Sequence, residues 1–219
     1  MEQQMYDPVD TASRILRAAE KLFAEQGFKE TTMRQITTEA QVNLAAVNYH
    51  FGSKSGLIHA VASHTLDPLC ADVEAGLVAH GHKEPLSLEP LLKLLTRALI
   101  GVHRNNHYAL SVLMRCLEQA YRPSQMELQA FLLETYGGRL NLFLHHLKAG
   151  SGVHDDREFF WRLHFLLGSV VFTLSNLHAL VAMDTPGESA EAEIEPILQR
   201  LVPVLTAGMQ APLRNQSLS

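Results

Sequence analysis

An all-α fold is predicted by three observations. Apolar residues recur at three- and four-residue spacing along most of the 219-residue chain, no alternating β-type run appears, and glycine (13) and proline (9) are few. Hydrophobic residues make up 47% of the chain, ample for a core, and the length suits one large or two small domains.

The elements follow in order. Residues 1–8 read as a frayed tail, and a first helix spans about 9–26. Two short helices follow over 33–40 and 44–50. Thr32 caps the first and Asn43 the second, because their side-chain oxygens accept from free amides of the first turn. Ile36 and Ala40 face inward at helical spacing, as do Leu44 and Val47, and only Gln41, Val42 and Asn43 separate the pair. Gly52 ends the second helix, since a residue without Cβ tolerates a left-handed cap, and Ser53 caps the next.

A fourth helix runs from Lys54 to about Ala79, with Leu57, Ile58, Val61, Leu66, Leu69 and Val73 in register. Pro68 within it is expected to kink or break it. His80 to Pro85 read as a loop. Helices follow over about 88–104, 107–119, 124–149, 155–182 and 189–209, interrupted at Asn105-Asn106, Arg122-Pro123, Gly150-Ser151-Gly152 and Asp184-Thr185-Pro186-Gly187. From Ala211 onward disorder is expected.

Two short helices across a tight turn form a helix-turn-helix, the unit that sets its second helix in the DNA major groove. The outward positions of that helix, Ala45, Ala46, Asn48 and Tyr49, are small or hydrogen-bonding and uncharged, where a solvated face usually holds Lys or Glu. Alanine packs on a thymine methyl, and Asn48 has the geometry to pair with adenine. Tyr49 and His50 are donors for phosphate oxygens. Lys54 in the first turn of a helix opposes the dipole, which points to a nearby anion such as a DNA phosphate. The candidate DNA-binding set is therefore Thr32, Asn43, Ala45, Ala46, Asn48, Tyr49, His50 and Lys54.

These segments resemble the TetR family of bacterial transcriptional regulators. The likeness starts at Ile15-Leu16-Arg17-Ala18-Ala19-Glu20-Lys21-Leu22-Phe23, continues through Gly27-Phe28 and Thr31-Thr32-Met33-Arg34-Gln35-Ile36, and ends with Tyr49-His50-Phe51-Gly52-Ser53-Lys54. Asn48 stands where most members have a tyrosine. A longer likeness, over Asn43–Lys54, Glu158–Gly168 and Pro203–Met209, is to fatty-acid-responsive PsrA-type members. The resemblance implies a TetR-like all-α fold: an N-terminal three-helix helix-turn-helix domain (1–53) and a larger C-terminal ligand-binding and dimerisation domain (54–219). It further implies a repressor released from a palindromic operator by a small apolar ligand such as a long-chain fatty acid or acyl-CoA. Another hydrophobic ligand, or activation at some promoters, fits the same residues.

Charge does not carry the DNA reading. The formal net charge is −5, and residues 1–55 hold six Lys/Arg against seven Asp/Glu. Few phosphate contacts per subunit imply dimeric binding to operator DNA. No apolar run is long enough to span a membrane, and no signal peptide is apparent, so a cytoplasmic location is expected. An acyl-binding all-α enzyme is the remote alternative. It lacks support because no GxSxG, HExxH or glycine-rich phosphate loop is present.

The second half suggests two further features. Residues 163–174 are apolar on more than one face, as in a central core helix or in a homodimer interface made by the last two helices, where Gly168 and Ser169 permit close approach. Leu113, Met114, Leu117, Phe131, Tyr136, Phe143, Trp161, Phe165 and Phe172 are candidates for an apolar pocket or for plain core. Arg115 and Arg162 lie in mostly apolar helices, where they pair with Glu118, Glu134 or Glu158, or else meet a ligand carboxylate or phosphate. His80/His82, His103/His107 and His145/His146 lack ligand register, so no metal and no cofactor is expected. Cys70 and Cys116 read as buried thiols without a disulfide.

Overall fold

The computed structural model describes residues 8–81, 85–184, 187 and 189–212. Helices α1 (Pro8–Gln26), α2 (Met33–Ala40), α3 (Leu44–Phe51), α4 (Lys54–His80), α5 (Leu88–Asn105) and α6 (Ala109–Ala120) occupy the first part. A short 3-10 turn (Pro123–Gln125) leads into α7 (Met126–Ser151), α8 (Asp156–Ser175), α9 (Leu177–Asp184) and α10 (Ala190–Met209). No strand occurs among the described residues. The expected tails fall largely on residues 1–7 and 213–219, and parts of two expected loops on 82–84, 185–186 and 188, which lie outside the described residues.

Helix α4 is continuous through Pro68, with Leu69, Cys70 and Val73 buried on the following turn, so of the kink or break expected there no break occurs. One expectation about a helix break is corrected. The stretch 155–182 is two helices that meet at a 71° bend. Asn176 stands at the break: its backbone N–H makes the last helical bond of α8, to the Phe172 carbonyl at 3.1 Å, and its side-chain amide donates to the same carbonyl at 2.8 Å. A side chain competing for helix carbonyls favours termination over continuation.

Compactness groups the chain into two units, in a pattern different from the division at 53/54: residues 1–70 with 101–138, and 71–100 with 139–219. In the first unit α1 packs against α2, α3 and α6. Ile15, Ala19, Phe23, Ile36, Val47, Leu57, Val61 and Val112 are fully buried there, joined by Cys116. Each large aliphatic side chain so buried stabilises the unit by about 1.5–3 kcal/mol before conformational entropy is charged against it. Helix α6 thus contributes Val112 and Cys116 to the same core as the helix-turn-helix, which is why it groups with the head.

In the second unit α8 packs against α9 and α10. A Cβ at Gly76 would collide with the Leu94 side chain, so glycine there sets how closely α4 and α5 approach. Arg139 donates to both Glu74 carboxylate oxygens (2.8 and 2.9 Å), and this pairing holds the Glu74 carboxyl below its usual range. Arg162 is buried and paired: its Nε donates to Glu158 (2.7 Å) and its Nη1 to the Met209 carbonyl (2.8 Å).

Candidate nucleic-acid interface

The head is fixed locally before it is fixed by packing. Helix α1 stops at Gly27, whose φ of +91° favours glycine, and the chain then turns so that Phe28 meets Phe23 edge-on at 5.1 Å between ring centres. Thr31, fully buried, donates its hydroxyl to the Leu22 and Gly27 carbonyls (3.1 and 2.8 Å). Thr32 caps α2 in a reciprocal box: its Oγ1 accepts from the Gln35 amide (3.2 Å), and Gln35 Oε1 accepts from the Thr32 amide (2.7 Å).

The turn between α2 and α3 is made by Gln41 in the left-handed region (φ 54°, ψ 46°). Gln41 and Val42 amides close back on Thr38 and Thr37 carbonyls at 3.2 and 3.0 Å. Arg14 of α1 adds a tether that sequence reading missed, donating to the Ala40 and Gln41 carbonyls (2.6 and 2.9 Å). It satisfies acceptors that the end of α2 leaves open. Asn43 then caps α3, its Oδ1 accepting from the Ala46 amide at 2.8 Å.

Helix α3 is anchored by Val47, its one fully buried residue, with Ala46 and Phe51 partly buried against the same core. Asn43, Leu44, Ala45, Asn48 and Tyr49 are exposed, Tyr49 by 83%. Ala46 and His50 are half-buried, with the His50 ring edge-on to Tyr49 at 5.0 Å. Leu44 is therefore a correction. It stands 51% exposed rather than facing inward, because Val47 with Ala46 and Phe51 already seats the helix on the core.

Beyond α3 the chain turns at Gly52 (φ +74°). The Ser53 hydroxyl caps α4 by accepting from the Gly56 amide at 3.0 Å. Any Cβ at position 56 would collide with the Phe51 carbonyl, so glycine permits α4 to start tight against α3. Lys54 donates one bond to the Lys29 carbonyl (3.3 Å), leaving its other two donors, and partial burial lowers its pKa. The DNA candidates thus share one unit, on α3 and its two flanking turns, with Thr32 at the start of α2.

The pocket candidates separate. Leu113, Met114 and Tyr136 are buried and Arg115, Leu117 and Phe131 half-buried in the first unit. Arg115 lies 3.9 Å from Glu118. Tyr136 donates to Asp67 at 3.0 Å, and its burial pushes the phenol up to about 12. In the second unit Arg162 is structural as described, and Phe143 is buried. Trp161, Phe165 and Phe172 are 49%, 66% and 63% exposed along α8, so among the described residues they line no interior. Amphipathic spacing identifies an apolar face but not what covers it.

Besides Arg14, three groups escaped the sequence reading. His59 of α4 stacks flat on Phe131 (4.2 Å between ring centres), and its buried Nε2 has no hydrogen-bond partner among the described residues. The carboxylate of Glu20, 3% exposed, pairs with His64 and so ties α1 to α4. An apolar cleft in the second unit, lined by Leu92, Leu99, Leu166, Val170, Leu198 and Leu205, has only about 30 Å³ of room, near that of one water. The cysteines are free and buried, and burial pushes the Cys116 thiol up to about 12, the opposite of activation. His146 uses its Nδ1 to accept from the Leu86 amide (3.0 Å).

Among the described residues no single helix is long and apolar enough to cross a membrane, although α8 and α9 pass such a test together across their bend.

Residues 15–61 match the family model described as bacterial regulatory proteins, tetR family, and residues 93–208 match the tetracyclin repressor-like C-terminal domain. The probable HTH-type transcriptional regulator YttP of Bacillus subtilis is 31% identical over 103 residues, 47% of this chain and 48% of that protein. The HTH-type transcriptional repressor Rv3405c of Mycobacterium tuberculosis is 44% identical over 55 residues, 25% of this chain and 29% of that one. The chain thus spans about half the length of the first relative and under a third of the second. Among solved structures, the TetR family regulator PfmR from Thermus thermophilus superposes with a TM-score of 0.57 at 19% identity, over 89% of this chain and 98% of that one. The fatty acid degradation regulator FadR from Bacillus halodurans does so with 0.57 at 20% identity, over 88% and 94%.

Proposed function

Since the chain belongs to the tetR family of bacterial regulatory proteins, we propose that this DNA-binding transcriptional regulator is a homodimeric repressor that leaves a palindromic operator when a small apolar ligand binds. The DNA contacts are Thr32, Asn43, Ala45, Ala46, Asn48, Tyr49, His50 and Lys54. The observation that carries the base-reading role is the uncharged exposed stripe of α3 on a head locked by caps and core.

The ligand reading rests on His59. A buried ring nitrogen without a partner, stacked on Phe131 and on the same helix as Lys54, is a ready donor for a carboxylate or thioester oxygen. Leu57, two residues earlier, is locked in the head core, so a ligand that pulled on His59 would move α4 and the head together. A long-chain fatty acid or acyl-CoA fits such chemistry, its chain meeting Leu113, Met114, Phe131 and Tyr136 and its head group His59 or Arg115. Such a ligand shifts occupancy only if it favours the state that does not fit the operator.

Dimerisation through α8 and α10 is supported by the exposed rings of α8 and by Gly168 and Gly208. A Cβ at either glycine would meet nothing within 4 Å among the described residues.

The test is operator binding by the purified protein, on fragments upstream of its own gene, with and without oleate or oleoyl-CoA. Release by the lipid, abolished in His59→Leu while DNA binding persists, is the expected result. Binding indifferent to both lipids would remove fatty acids and their thioesters as ligands.

A further inference from the structure

Leu44 is the first residue of the recognition helix and holds half its side chain in water. A single exposed leucine is ordinary on a protein surface. Its neighbours make this one informative. Positions 44, 45, 48 and 49 form one stripe at helical spacing, and all four, Leu44, Ala45, Asn48 and Tyr49, are exposed and uncharged. The exposed face of α2, by contrast, carries Arg34 and Glu39 among its polar groups. The stripe is thus shaped for a surface that has hydrogen-bonding groups and an apolar feature in alternation. In the major groove the apolar feature at the base edge is the thymine 5-methyl group.

We propose that Leu44 is a specificity-determining residue that reads a thymine through its 5-methyl group, a role that rests on the DNA-binding function of α3. The branched δ-methyls of leucine reach further than the Cβ of Ala45 beside it, so Leu44 makes the contact where Ala45 only permits close approach. Asn48 lies one turn on, at i+4. The axial rise over four residues is roughly 6 Å, against a base-pair rise of about 3.4 Å. The half-site therefore carries its Leu44 thymine within a few base pairs of the adenine that Asn48 pairs with.

The experiment uses the full chain. A binding duplex is first selected from a random pool. Each thymine is then replaced in turn by deoxyuridine, which removes the methyl group and leaves every hydrogen-bonding group in place. The expected result is one position per half-site at which the replacement weakens binding roughly fourfold, the size of one buried methyl. Leu44→Ala should erase that difference while binding the deoxyuridine duplex as the parent protein does. Leu44→Gln, with its circular dichroism checked, guards against a folding defect in the first variant. Equal binding to all deoxyuridine duplexes overturns the proposal, as does a methyl effect that survives in both variants. Selection of no duplex at all overturns the DNA reading of α3 itself, and the proposal with it.

Discussion

Helices α3 and α8 each leave a stripe of uncharged side chains in water, but the two stripes are chemically unlike. On α3 it is Leu44, Ala45, Asn48 and Tyr49. On α8 it is Trp161, Phe165, Gly168 and Phe172, with Trp161 stacked on Phe165 at 6.1 Å. Small and hydrogen-bonding groups suit a surface that must be read and released, whereas rings around a glycine suit one that stays covered. The difference teaches that exposure alone does not identify a binding face. The size and polarity of what is exposed tell a reading surface from an assembly surface.

The comparison breaks first at Phe165. At the proposed two-fold interface, Phe165→Asp places two carboxylates near each other among the rings of α8. We expect a monomer by analytical ultracentrifugation, and an operator affinity lower on the order of a hundredfold, since each half-site is then bound alone. A dimer that survives this change would mean the α8 stripe is not the interface.

On the other face, Asn48→Ala should weaken operator binding by roughly 10- to 100-fold and relax specificity at one position, as expected for loss of a bidentate base contact. Lys54→Gln should weaken binding to all sequences alike and lower the slope of log affinity against log salt by about one. Fluorescence anisotropy across a salt series separates the two. Equal loss on specific and random duplexes for Asn48→Ala would move that residue from base reading to backbone contact.

Both comparisons require a folded chain, and its alkaline limit comes from the interior of the first unit. Burial raises the Cys116 thiol from 9.0 to about 12 and the Tyr136 phenol from 10.0 to about 12. Above pH 9 the unfolded chain loses these protons while the native chain keeps them, so the unfolded state binds fewer protons and stability falls as pH rises. Urea unfolding should give constant stability from about pH 7 to 8 and a decline that is under way by about pH 9 and continues above it. Cys116→Ala should make that decline shallower. An unchanged slope would assign the loss to other groups.

Much of the head was legible because its determinants are local. Thr32, Asn43, Gly52 and Ser53 act within a few residues of themselves, and Ile36, Ala40 and Val47 obey simple periodicity. What stayed hidden depends on tertiary context. Nothing in the sequence marks His59 as a ring whose nitrogen lacks a partner, or Arg162 as a strut to the Met209 carbonyl. Leu44 matched the inward spacing and lost the place to Val47. Trp161, Phe165 and Phe172 looked like pocket lining because spacing identifies an apolar face without showing whether the chain buries it, and here they stand exposed. The stop at Asn176 was missed because its side chain turns back on Phe172 only in the folded helix.

The smallest expected effect lies at the hinge of the reading surface. Gln41 is the non-glycine residue with positive φ among those described, and it sits in the turn that aims α3. An L-residue in this region crowds its Cβ against the backbone, at a cost of about 1 kcal/mol, which glycine avoids. Glycine also gives the unfolded chain more freedom, which offsets part of the gain. Gln41→Gly should therefore stabilise the chain by a net of roughly 0.5 kcal/mol, read as a small rise in urea midpoint at unchanged slope. Operator affinity should hold, because the Gln41 and Val42 amides and the Arg14 tether fix the turn through backbone groups that glycine retains. If stability rises while affinity falls, the Gln41 side chain, which is exposed beside Asn43, contacts DNA itself, and the reading surface extends from α3 into the turn.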